Sequence, residues 1–402
     1  MSDDTKRLLQ KINQYEFSKE IDSIDIRKSS HWMKIYKEMQ KIYMKLLEHP
    51  HHILPKGKKM LSRSESHVEV SSKPISKEEM KQITDGSRFM SHEIGKDILR
   101  FRFQWTFICD SGEVILNTFS EKEKLTKTEM EEMNEMILVI FLIKDLFHRN
   151  EKYIQKVTYF PSNLKKKINS HSKKCLGVNE CNSGLTFVDS HSNHNHIDNG
   201  DIILFRREEH IKVLIHEMFH SNYRDVMLIR HDHRDEMADK ICTDYDILLN
   251  ESYTEWNATI LNLMYLSIKY DMKISELNDM LHKEIKYGVY VCRRIMKYYG
   301  IQDISEIIRV GDFCKKHIPQ KTNVISYYLF KPIQMFHFNQ MEKYLKKRTK
   351  EMHIVDQEGA REYKEMILEW LPTIQDQLVM ISKKSGKNQV DSEKSLRMTL
   401  FS

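Results

Sequence analysis

Eight consecutive apolar residues, Met136-Ile137-Leu138-Val139-Ile140-Phe141-Leu142-Ile143, constrain this chain more than any other stretch. On a helix they are apolar at every angle, so that helix must be covered on all sides. The run is too short for a membrane span of about 20 residues, so protein must cover it, and a sheet is the expected partner. Thr128 and Glu131, three apart, form the capping-box pattern that opens such a helix. Just upstream, Leu99, Phe101, Phe103, Trp105 and Phe107 alternate with Arg100, Arg102, Gln104 and Thr106, the period of a half-buried strand. Asp110-Ser111-Gly112 supplies a turn and residues 114–119 the returning strand.

Shorter strand candidates lie at 153–160, 185–188 and 201–205. Beyond Arg206 the helical period dominates, near 206–221, 234–249, 251–270, 274–299, 303–317, 322–350 and 359–382. Only 12 Gly and 7 Pro among 402 residues argue against an all-β chain of many turns. The expected class is therefore α+β. It comprises a helical N-terminal extension (1–60), a Ser/Lys/Glu-rich linker or mobile loop (61–97), a sheet with its backing helix (98–221), a helical subdomain (222–382) and a flexible tail (383–402).

Lys+Arg 64 against Asp+Glu 58 leaves +6 with no long basic run, which does not point to nucleic acid. No segment reads as a membrane span, and the first residues lack an apolar secretory stretch. Six cysteines without a CxxC pair read as free thiols in a reducing cytoplasm. Oligomeric state is not encoded in any feature of the chain.

The chemistry lies in Ile211-Lys212-Val213-Leu214-Ile215-His216-Glu217-Met218-Phe219-His220. His216 and His220 are four apart, so on a helix both imidazoles project from one face and can grip one ion, with Glu217 beside them to take a proton from water. This is the HExxH arrangement of zinc metallopeptidases. The apolar residues around it are what a helix with a core-facing side needs. His92-Glu93 begins a similar string, but Lys96 stands where the second His belongs. Zinc needs a third protein ligand and an open fourth position. Downstream, Asn250-Glu251-Ser252-Tyr253-Thr254-Glu255 places two carboxylates on one helix face, one to bind the ion and one to hold an imidazole, with Asn250 available for the other.

His216–His220 with Asn250–Glu255 resembles the HExxH…NExxS/T-D/E signature of the gluzincins, the thermolysin-like zinc peptidases. The resemblance covers roughly residues 98–270. It implies a zincin-like fold and one zinc per chain on His216, His220 and Glu251. It further implies Glu217 as general base and acid, Glu255 as partner of His216, and a peptide or protein substrate. Two departures stand out: thirty residues separate His220 from Glu251, requiring an extra helix near 234–249, and Glu255 replaces the shorter Asp. A metzincin pattern fails, because Tyr223 and Val226 occupy the Gly and His positions. The abundance of Lys, Ile, Met, Asn and His matches AT-rich genomes, large DNA viruses among them, so a viral zincin is one expectation.

Gluzincins also use a Tyr or His as oxyanion donor. Tyr327 is the first choice here, ahead of Tyr328, His231, His233, Tyr287 and Tyr290. The resemblance further implies substrate addition to a sheet edge, placed at Gly184-Leu185-Thr186. An ordinary buried strand accounts for that segment equally well. Glu236 and Asp239 read better as an exposed helical face than as ligands, His191, His194 and His196 as a solvated loop, and Lys165-Lys166-Lys167 as surface. Endo- and carboxypeptidase action are not separated. A catalytically silent zinc-binding protein, virion-associated or otherwise, and a zinc hydrolase of non-peptide amides or esters are the alternatives.

Overall fold

A computed structural model describes residues 2–48, 67–76, 78, 100–109, 112–147, 153–168, 175–187, 200–231, 236–237, 239–350, 352–380, 382–383 and 395–401. By contacts the chain divides into two compact units. One comprises Met1–Ile35, Lys166–Cys181 and Tyr223–Ser402, the other Tyr36–Lys165 and Asn182–Asn222. Together their elements make a mixed α+β protein.

The second unit is built on a six-stranded mixed sheet. Its strands are β1 (His67–Pro74), β2 (Phe101–Cys109), β3 (Gly112–Ser120), β4 (Tyr153–Tyr159), β5 (Gly184–Thr186) and β6 (Ile202–Leu204), in the order β1-β2-β3-β4-β6-β5. β1, β2 and β3 are antiparallel, β3, β4 and β6 parallel, and β5 runs antiparallel to β6 at the edge. The alternation in β2 buries Phe103, Trp105 and Phe107 on one face, while Gln104 and Thr106 stay partly exposed. Helix α3 (Lys127–Phe147; α1 and α2 lie at Asp3–Ile12 and Ser30–Glu48) carries the all-apolar run, and residues Val139, Ile140, Leu142 and Ile143 are fully buried. Phe141 meets Phe107 of β2 edge-on at 6.3 Å, so the helix does back the sheet. Its capping box lies two residues earlier than expected. The Thr126 N–H donates to Glu129 Oε2 (2.7 Å) and the Glu129 N–H to Thr126 Oγ1 (3.3 Å), because the helix starts at Lys127.

The same helix packs on α4 (His210–Ser221), with Phe147 and Phe219 edge-on at 5.1 Å. Lys144, fully buried, donates to Asn222 Oδ1 at 2.7 Å, and Ser221 Oγ donates to Gln155 Oε1 of β4 at 3.2 Å. Polar bonds to two neighbouring elements thus fix the end of α4.

The other unit is helical, with α5 (Val226–Arg230), α6 (Leu249–Lys269), α7 (Ile274–Tyr298), α8 (Lys331–Phe336), α9 (Phe338–Arg348), α10 (Gln357–Trp370) and α11 (Thr373–Met380). Helix α6 is buried on all sides over most of its length. A π-helical turn, Ser326–Phe330, precedes α8. Among the described residues no helix is long and apolar enough to cross a membrane.

Several expectations are corrected. Residues 1–35 are not a separate extension: Asn278 Oδ1 on α7 accepts the Ile26 N–H at 3.0 Å, and Tyr15 packs on Tyr290 at 5.3 Å. Part of the supposed linker, His67–Pro74, is the edge strand β1, whose polar composition suits a strand paired on one side only. The expected helices at 234–249 and 303–317 are, in their described parts, mostly irregular chain. There, Ile241 bridges Ile308 and Thr243 bridges Ile318. The tail is not loose over 395–401, where Leu396, Thr399 and Leu400 are fully buried. Lys166 is buried too, although Lys165 and Lys167 are exposed.

The cysteine expectation also fails. Cys242 and Cys314 form a disulfide, with Cα atoms 6.0 Å apart, while Cys175, Cys181 and Cys292 remain thiols. The flanking bridges bring the two cysteines together across 72 residues, a separation that leaves no local trace. Burial pushes the Cys292 thiol up to about 12, which makes it a poor nucleophile. Replacing Cys314 by serine is expected to lower stability by about 2–4 kcal/mol, since closing a long loop removes entropy from the unfolded chain. Urea unfolding of Cys314→Ser against the oxidised protein checks this, and equal midpoints would refute it.

Candidate functional site

The HExxH residues are on α4 as the period requires. His216, Glu217 and His220 are all buried, at 5%, 5% and 8% exposure. The two histidine Nε2 atoms lie 3.1 Å apart with the rings at 73°, so both point to one place. Two nitrogens bound to one tetrahedral zinc would lie ~3.3 Å apart for Zn–N bonds of about 2.05 Å. The pair is therefore already spaced as ligands. Backbone on either side of the helix is unusual: Glu209 (φ 63°) and Tyr223 (φ 55°) are left-handed non-glycine residues. Such strained conformations persist only where surrounding structure imposes them, and they cluster at functional sites.

Glu217 is set by β5. Thr186 Oγ1 lies 2.8 Å from Glu217 Oε2 and 3.1 Å from the Glu217 carbonyl oxygen. A Cβ at Gly184 would come within 2.8 Å of both Glu217 Oε1 and Val213 Cγ1, so the strand passes this carboxylate as only glycine can. Leu185, on the opposite face, packs against Phe119, Phe160 and Phe205. The Phe205 N–H donates to the Ser183 carbonyl and the Phe187 N–H to that of Asp201. In this register the backbone groups of Gly184 and Thr186 face away from β6, along the sheet's edge.

On α6, Glu251 is half-buried and accepts a hydrogen bond from Tyr327 Oη at 2.9 Å. Tyr327 lies in the π-helical turn, a distortion that often marks functional positions. Asn250 donates its Nδ2 to Asp225 Oδ2 at 3.0 Å, and Glu255, one turn beyond Glu251, is fully buried. Asp225 escaped sequence reading. It sits at the N-cap of α5, yet makes no capping bond there and turns its carboxylate to α6 instead. No sequence signal separates it from an ordinary N-cap Asp.

Of the ligands that the resemblance implies, His216 and His220 share α4 in the sheet unit, and Glu251 lies on α6 in the helical unit. With two imidazoles and a carboxylate, the donor set suits zinc.

Other candidates are engaged elsewhere. Tyr328 Oη and Tyr287 Oη donate to the carbonyls of Leu396 and Arg397, and Tyr290 packs on Tyr15. Glu236 is exposed and pairs with Lys364, as the charged-surface reading expects, and Asp239 is exposed. His231 is half-buried at the end of α5. His191, His194, His196, His233 and the His92-Glu93 string lie outside the described residues.

The site defines an α+β protein with an HExxH helix backed by a mixed sheet. No family model, curated protein or solved structure matches the chain.

Proposed function

We propose that this protein is a zinc-dependent metallopeptidase of the gluzincin type, with a zincin-like arrangement of sheet, backing helix and active-site helix. The observation that carries the reading is the pair of buried imidazoles, His216 and His220, with Nε2 atoms 3.1 Å apart and a buried carboxylate, Glu217, on the same helix. His216, His220 and Glu251 would hold one zinc per chain, with Asn250 and Glu255 orienting the imidazoles. Zinc bound there would supply Lewis acidity, lowering the pKa of a water toward about 7 and polarising a carbonyl.

Glu217 accepts the proton of the attacking water and returns it to the leaving amine. Tyr327 is the proposed donor to the oxyanion, a role in which its single hydroxyl proton turns from Glu251, which it now bonds at 2.9 Å, to the substrate. A peptide is favoured as substrate by the edge of β5. The outward N–H and C=O groups of Gly184 and Thr186 can pair with an extended chain, laying it beside Glu217. The cysteine pattern alone leads to the expectation of a cytoplasmic location. The Cys242–Cys314 bond weighs against it, because disulfides persist in oxidising compartments.

The test is to measure metal content and cleavage of an unfolded protein substrate together. The expected result is about one zinc per chain, cleavage that a chelator abolishes, and recovery of both on adding zinc back. Bound zinc without cleavage of any peptide would overturn the peptidase reading in favour of a silent binding protein. Turnover confined to esters or non-peptide amides would reassign the substrate.

A further inference from the structure

We propose that Thr186 is a positioning residue for Glu217, fixing the carboxylate of the base in one orientation from the strand that would receive the substrate. The inference rests on the metallopeptidase reading for its meaning in turnover, but its geometry lies wholly within the sheet unit.

The Thr186 hydroxyl has one proton to donate, and two oxygens of Glu217 compete for it: the carboxylate Oε2 at 2.8 Å and the backbone carbonyl at 3.1 Å. The carboxylate is nearer and, when ionised, the stronger acceptor. That bond specifies one carboxylate oxygen. Gly184 specifies the other, since Oε1 occupies the space that a Cβ two residues before Thr186 would take. Gly184 and Thr186 share a face of β5 because strand side chains alternate, and that face meets α4. A long, flexible glutamate side chain is thereby held at both oxygens by two positions of a three-residue strand. The backbone groups of these same two residues lie along the strand's open edge, so the contact that aims the base and the edge that would align a peptide belong to one rigid element.

A merely structural account assigns the Thr186 bond to stapling β5 onto α4. It predicts that losing the hydroxyl weakens the fold and leaves turnover per folded molecule unchanged. Thr186→Val keeps the shape and removes the donor, and Thr186→Ser keeps the donor. If Thr186 positions the base, Thr186→Val lowers kcat by ~10- to 100-fold, as expected when a reacting group is displaced by about 1 Å. KM stays within about threefold, because only the transition state uses the bond. Thr186→Ser restores kcat to within about threefold of wild type.

The second readout needs no activity. In crystals of the metal-free protein, Glu217 should leave its position against β5 in Thr186→Val and retain it in Thr186→Ser. Should Thr186→Val not fold, Thr186→Ala gives the same contrast. An unmoved Glu217 together with wild-type kcat in the valine or alanine variant would overturn the proposal. If wild type cleaves nothing, the peptidase reading fails, and the Glu217 position in the variants decides the positioning contact by itself.

Discussion

Glu217→Gln is expected to lower kcat/KM for peptide cleavage by ~10²- to 10⁴-fold, the range contributed by a positioned general base. Glutamine has nearly the same shape and keeps an oxygen to accept the Thr186 hydroxyl, so the bond that places the side chain at 2.8 Å need not be lost. What disappears is the capacity to take up a proton. Glu217 is not one of the proposed ligands, so metal content should stay at about one zinc per chain. Kinetics on a wild-type-cleaved peptide, with metal content measured on the same preparation, separate this from damage to the site. A variant within about tenfold of wild type would remove Glu217 from the mechanism.

Glu284→Ala should produce the largest loss of stability, about 3–5 kcal/mol, the cost of breaking a buried ion pair by removing one partner. Glu284 is fully buried on α7. It accepts from Lys331 Nζ at 3.1 Å, Thr399 Oγ1 at 2.9 Å and the Leu400 N–H at 2.8 Å. Lys331 also reaches the Met398 carbonyl. Removing the carboxylate strands a buried ammonium and unties the last residues of the chain together. A paired change, Glu284→Leu with Lys331→Met, should cost far less, because no uncompensated charge is left inside. Urea midpoints of wild type, single and double variants provide the measurement. A loss below about 1 kcal/mol for Glu284→Ala would mean that the pair does not anchor the tail.

This second prediction concerns a part of the molecule that sequence reading described as a flexible tail. Residues 383–397 are polar in sequence, yet Ser395 and Arg397, and Thr399 just beyond, are buried through bonds to distant groups. Arg294 donates to the Ser395 carbonyl, and Thr5 Oγ1 donates to the Leu400 carbonyl across 395 residues. No window along the chain contains such partners. For the same reason the disulfide, spanning 72 residues, was read as two free thiols. The strand β1 passed for linker because its pairing with β2 is supplied by residues 27 to 41 positions away.

Helices α3, α4, α6 and α7 were legible because a helical turn closes over four residues, so each carries its own apolar period. The paired imidazoles at His216 and His220 follow from that same spacing, and so does the shared face of Glu251 and Glu255. What the chain determined locally was therefore these four helices, the main strands and the chemical character of the proposed centre. Tertiary structure alone decided that Tyr327 bonds Glu251 and that Thr186 and Gly184 hold Glu217. Those are distances between residues 31 to 76 positions apart, and they exist only once the separate elements have packed.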